Sequence, residues 1–352
     1  MQKLLLLTAM IVCINVINAQ PLVQKIDNIV KNSYDEGLFN GCALVVDNGE
    51  IIYKKGYGYA NFEWDIPNST TTKFKIGSCT KQFTAALILL LSEEGKIDLN
   101  NDITAYIPDY PADKGNKITI HHLLSHTSGI PDYFYLPKMQ DLFFRENKTD
   151  DFIHHFWNLD LEFDPGSKLK YSNSGYFLLG KIIENVTGKS YAQVLQEKIL
   201  DPLKMNDTGV VNDKQIFPHK ACGYVKLAND IEIAPYINTS GAYAAGAMYS
   251  TVEDLNKWQQ ALETGRILSK ESFNRMLTPN FSRYGYGFGI LQITVAEHKR
   301  VTLYGHEGEI YGFRSLIHIF RDEHKAIILL DNNQNTTLMN IATKIRKALY
   351  AD

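Results

Sequence analysis

Thr72-Lys73-Phe74-Lys75-Ile76-Gly77-Ser78-Cys79-Thr80-Lys81-Gln82-Phe83-Thr84-Ala85-Ala86-Leu87-Ile88-Leu89-Leu90-Leu91 is the stretch that decides how this chain is read. Its second half is an apolar run long enough for a buried helix. Its first part, Thr72 to Gly77, reads as a short extended segment closed by glycine. Ser78 then falls at the N-cap or in the first turn of a core helix. On that helix Lys81, three residues on, shares a face with Ser78. A serine hydroxyl is a weak nucleophile until a neighbouring base takes its proton, and a lysine amine one turn away can be that base.

The chain carries its own control. Ser167-Lys168-Leu169-Lys170 has the same spacing but follows the turn Asp164-Pro165-Gly166 and precedes no apolar run. Setting, not spacing, separates the two. The plain alternative for Ser78 is a capping serine with a solvated lysine.

The sequence has 352 residues and a formal net charge of −3. With no basic excess, there is no electrostatic case for a nucleic-acid partner. Residues 1–19 read as a secretory signal peptide: Lys3, a largely apolar stretch from Leu4 to Val16, and Ile17-Asn18-Ala19 before the cut. An exported protein, periplasmic or secreted, is therefore expected. Cys13 does not suit a lipid anchor, because Val12 before it is too large. No later run is long and apolar enough for a stable membrane span. Beyond the leader stand Cys42, Cys79 and Cys222, an odd number that reads as buried small side chains rather than a disulfide framework.

Along the chain, an amphipathic helix is expected over Pro21–Asp35. Strands are expected over Gly41–Val46 and Ile51–Tyr59, joined by the hairpin signal Asp47-Asn48-Gly49. The middle reads as helix and loop, including a helix over Asn173–Val186. Strand signals return at Tyr284–Thr294, Arg300–Tyr304, Gly312–Phe320 and Lys325–Leu330. A final helix covers Thr337–Leu349. Strands at both ends and helices between predict an α+β fold. Its sheet lobe is built from about 20–80 and 230–352, with a helical lobe inserted at about 81–229 and a binding cleft between them.

Two further stretches could complete an acyl-transfer site. Tyr171-Ser172-Asn173 follows a Pro-Gly turn and opens a helix; a tyrosine there can shuttle a proton if positive charge is near, and Asn173 can hold a substrate amide or Lys81. Gly305-His306-Glu307-Gly308 follows a strand, and its glycines let a ligand backbone approach closely. There the N–H of Glu309 could join that of Ser78 as an oxyanion hole, and His306 could orient substrate. A metal centre is disfavoured: no His-Glu-x-x-His occurs, and His121-His122 and His154-His155 are adjacent pairs that cannot face one ion on a helix. No phosphate-cradling loop is present, and no cofactor is implied.

Taken in order, Ser78-Cys79-Thr80-Lys81, Tyr171-Ser172-Asn173 and His306-Glu307-Gly308 resemble the three-motif set of the penicillin-recognising serine hydrolases, closest to the class C β-lactamase, D-alanyl-D-alanine carboxypeptidase and esterase branch. Leu123-Leu124-Ser125-His126-Thr127-Ser128-Gly129 and Ala245-Gly246-Ala247-Met248-Tyr249-Ser250 are similar too. The resemblance implies a β-lactamase/transpeptidase-like fold, an antiparallel sheet flanked by helices. It implies Ser78 as nucleophile, Lys81 and Tyr171 as general base and acid, and Asn173, His306, Gly308 and Glu309 against a small-molecule or peptide substrate. His126 and Ser128 are expected to be structural. The third motif departs from β-lactamases, which begin it with lysine followed by Thr or Ser. The alternatives are a true β-lactamase or carboxypeptidase, and a non-catalytic peptidoglycan-peptide sensor. Nothing in the sequence fixes an oligomeric state.

Overall fold

The computed structural model describes residues 21–227, 230–281, 283–296 and 299–351; the expected signal peptide lies outside them. Six strands form one sheet: β1 Gly41–Asp47, β2 Glu50–Gly56, β3 Gly289–Ala296, β4 Lys299–Ile310, β5 Phe313–Phe320 and β6 Lys325–Asp331. All neighbours are antiparallel, in the order β3-β4-β5-β6-β1-β2. The first hairpin thus closes onto the last strand, so both chain ends build one sheet. Ala326-Ile327-Ile328-Leu329-Leu330 of β6 is buried on both faces, which is why it reads as a continuous apolar run.

Alternate residues send the two faces into two cores. Ala43, Val45, Leu316, Ile327 and Leu329 pack under a helix over residues 21–35 (α1) and under the C-terminal helix Leu338–Leu349. Cys42, Leu44, Ile317, Ile328 and Leu330 belong to the core built around the helix Thr80–Glu93 (α2). Every residue of α2 from Thr80 to Leu89 is buried. Two of its polar side chains reach partners across the core. Thr84 donates to the Ala244 carbonyl (2.7 Å), and Gln82 accepts from the Trp258 indole (3.1 Å).

Three expected strands differ in their bounds. The one expected over Ile51–Tyr59 stops at Gly56, and Tyr59–Asn61 pairs in a separate two-stranded sheet. Residues 284–288 are irregular, and the strand starts only at Gly289. The strand expected to stop at Tyr304 instead runs to Ile310, so Gly305 and Gly308 lie inside it. These glycines are there for close packing, not for a strand end. A Cβ on Gly308 would sit 2.0 Å from the Ile76 carbonyl oxygen, and one on Gly305 would sit 2.4 Å from that of Ile317. Because β3 pairs with β4 only as far as Gly305, the segment from His306 to Ile310 is the sheet's edge beside Ser78. Cys42 and Cys79 are buried and Cys222 is half-buried; all three are free thiols.

Candidate active site

Ser78 lies in a 3-10 turn, Gly77–Cys79, that leads into α2. Its hydroxyl caps neither element, contrary to the plainer expectation. Instead it stands 3.0 Å from the Lys81 amine. Lys81 is fully buried, and its Nζ has two further acceptors: the Asn173 Oδ1 at 2.8 Å and the Ala245 carbonyl at 2.7 Å. Burial brings its pKa down to about 7, against an opposing pull from Asp132. A neutral amine held by two carbonyl-type oxygens keeps its two N–H groups occupied. Its lone pair is then left for the Ser78 O–H. The control pair behaves otherwise: Lys170 bonds Glu162 at the surface and Ser167 closes a turn on Asp164.

Asn173 opens the helix Asn173–Thr187 (α3), and Ser172 before it is the N-cap. The amide's other end donates to Asp132 Oδ2 at 3.0 Å. Asp132 is 5% exposed, and its Oδ1 accepts from the Phe134 N–H. A carboxylate only accepts, so it fixes the amide with Oδ1 toward Lys81. Burial raises the Asp132 pKa, countered by these N–H donors and by Lys81. The sequence reading stopped at Gly129 and missed Asp132, three residues further on.

Tyr171 precedes the α3 cap, where the chain is still extended and its ring can enter the cleft. Lys81 Nζ lies 4.9 Å from the ring centroid. The phenol oxygen is buried and makes no hydrogen bond of good geometry, although nearby Ser78 eases its ionisation; burial dominates and pushes its pKa up. His126 packs tilted against the Tyr171 ring at 4.3 Å between centroids, and its Nδ1 accepts from the Ser172 N–H. It occupies the left-handed region, φ 59°. So His126 shapes the Tyr171 loop and stays neutral, held well below the usual imidazole range by burial.

On the opposite wall, His306 Nδ1 donates to the carbonyl of Glu307, since a carbonyl can only accept. Nε2 must then accept from the Tyr284 hydroxyl, 2.9 Å away. Burial and Lys81 bring the imidazole down to about 4, so His306 carries no charge. A Cβ on Gly77 would lie 2.8 Å from the Glu309 backbone nitrogen, which shows how closely strand β4 passes the Ser78 turn. The Glu309 carboxylate pairs with Arg314 at 3.1 Å.

Ser78, Tyr171, Asn173, His306 and Glu309 line a cavity of about 690 Å³, with Lys81 buried behind Ser78. Tyr133, Phe134, Tyr135 and Phe143 give it an aromatic wall. Among the described residues no group of His, Cys, Asp and Glu is arranged to hold a metal ion.

The family model for Beta-lactamase matches residues 26–351. The chain belongs to the beta-lactamase family. It is 33% identical over 332 residues to the Bacillus subtilis protein PbpX, which carries a penicillin-binding-protein name; the match covers 93% of this chain and 78% of that one. The D-amino acid amidase of Ochrobactrum anthropi superposes with a TM-score of 0.79 at 27% identity, covering 93% and 98% of the two chains. A penicillin binding protein from Bacillus halodurans gives 0.80 at 26%, covering 91% and 98%. The β-lactamase/transpeptidase-like fold and the serine hydrolase class read from the sequence both stand on this evidence. Within this beta-lactamase family frame, the structure brings Ser78, Lys81, Tyr171, Asn173, His306, Gly308 and Glu309 to one cavity. Asp132, the Ala245 carbonyl and Tyr284 are additions to that set, each bonded to a member of it.

Proposed function

We propose that this protein is an exported hydrolase that cleaves an ester or amide through an acyl-enzyme on Ser78. The observation that carries this reading is the Lys81 amine, fully buried, near-neutral in pKa and 3.0 Å from the Ser78 hydroxyl. Lys81 takes the hydroxyl proton as Ser78 attacks the carbonyl. The oxyanion is held by the N–H groups of Ser78 and Glu309. Tyr171 enters protonated, because burial disfavours its phenolate. It gives its proton to the leaving oxygen or nitrogen and regains one from Lys81. Water then releases the acyl group by the reverse relay.

The cavity favours an acyl group with an aromatic or large apolar part and no carboxylate. Glu307 and Glu309 stand at its rim, the Arg314 charge is taken by Glu309, and His306 is uncharged. A negatively charged substrate would meet no free cation among the described lining residues. Penicillins, which carry a carboxylate, fit this poorly. Esters and amides of amino acids with a free amine fit better, in keeping with the amidase among the structural relatives. The test is a panel of p-nitrophenyl esters, D-amino-acid amides and nitrocefin, run on wild type and Ser78→Ala, with intact mass after a fluorophosphonate probe. Turnover of the esters or amides that vanishes in Ser78→Ala, with a single adduct on wild type, supports the reading. Equal rates in both proteins and no adduct would refute it.

A further inference from the structure

A second cavity, about 260 Å³, lies on the other side of Tyr171 and His306 from the aromatic wall. It exists because three cross-strand neighbours include two glycines: Gly289 pairs with Gly305, and Gly305 with His318. The two missing side chains leave a notch in the sheet. Leu291, Leu303 and Met339 give it an apolar lining. His318 closes it.

His318 is 3% exposed, and its Nδ1 is buried with no hydrogen-bond partner among the described residues. Buried polar groups are nearly always satisfied, so an unpaired imidazole at the end of an apolar notch points to something that binds there. Burial and the Arg346 charge keep it neutral, at about 3, so it offers one donor and one acceptor and no charge. Glu307 lines it as well, so the notch suits a molecule that is not an anion, with a small apolar body and one hydroxyl, amine or amide.

We propose that this notch is the subsite for the leaving group. This rests on the acyl-enzyme reading above. With the acyl part against the aromatic wall, the bond from acyl carbon to leaving oxygen or nitrogen breaks at the Tyr171–His306 partition. The departing atom takes the Tyr171 proton, and its apolar body lies in the notch against His318. Substrates with a butyl or benzyl leaving group are then preferred over methyl.

Gly289 allows a clean test. A Cβ there would meet only the Gly305 carbonyl oxygen, at 3.4 Å, an ordinary contact. Gly289→Val fills the notch, and Gly289→Ala is the milder version. Methyl, butyl and benzyl esters of one arylacetic acid are compared by kcat/KM. The benzyl-to-methyl ratio is expected to fall about tenfold or more in Gly289→Val and by less in Gly289→Ala, following the volume lost. An unchanged ratio in both variants overturns the proposal. A second readout does not need turnover. In Ser78→Ala protein, benzyl alcohol is titrated while the His318 imidazole resonances are followed by NMR. Saturable shifts that disappear when Gly289→Val is added support the notch even if no ester is cleaved, in which case only the acyl-enzyme reading fails. No shift at any concentration overturns the notch while leaving ester hydrolysis intact.

Discussion

Asp132 acts on Lys81 through the Asn173 amide rather than by touching it: carboxylate to amide N–H at 3.0 Å, amide oxygen to amine at 2.8 Å. The buried charge sets both the direction of the amide and part of the field at the amine. In Asp132→Asn, loss of the negative charge disfavours the ammonium form, since Asp132 raises the Lys81 pKa. In wild type, kcat/KM is expected to rise with pH through about 7 as Lys81 loses its proton. In Asp132→Asn that limb should move to lower pH, while the plateau falls because Asn173 is no longer fixed. A limb that stays in place would remove Asp132 from the electrostatics of the site.

Ser78→Ala is expected to lower kcat by about 10⁴-fold or more, as for nucleophiles that act in a unit with their base. Lys81→Met should cost nearly as much, and the double variant little more than either. Stopped-flow or long-time product assays check this. Independent, additive losses would count against the pair acting together.

Tyr135 is 78% exposed at the cavity mouth, so it packs little in the empty protein. Its removal in Tyr135→Ala should leave the thermal midpoint nearly unchanged and raise KM for arylacetyl esters by roughly fivefold, on the order of 1 kcal/mol of lost aromatic contact. Acetyl esters should be affected less. A uniform change across acyl groups would show that the wall does not read the acyl part.

Gly308→Ala places a methyl 2.0 Å from the Ile76 oxygen and 2.3 Å from Ser315 Oγ. Neither can retreat: Ile76 leads the Ser78 turn, and Ser315 donates to that same oxygen. The variant is expected to lose on the order of 3 kcal/mol of stability or more, and labelling by the fluorophosphonate should fall with it. Calorimetry beside adduct formation measures both.

The general plan was legible because its signals are periodic or local. The largely apolar Phe83–Leu91 run, the continuous apolar runs of the terminal strands and the Asp47-Asn48-Gly49 turn each specify an element without outside help. Gly305 and Gly308 misled because glycine signals either a break or a close approach, and only the neighbouring chain tells which. Here the neighbours are Ile317 and Ile76, far away in sequence. Asp132 and the Ala245 carbonyl were hidden for a related reason. One is a lone carboxylate in a loop and the other a backbone atom, and neither has a residue-type signature. Tyr284 reads from sequence as part of a strand, where its hydroxyl has no reason to meet His306.

Ser78 and its turn are wedged against strand β4, while Asn173 and Ala245 reach Lys81 from elsewhere in the chain. The working parts come from four separate stretches of chain that meet only in the folded core. Catalysis would thus serve as a sensitive gauge of local packing: as denaturant is added, turnover should fade before helical circular dichroism does, because a small local shift breaks the Lys81 contacts while the helices persist.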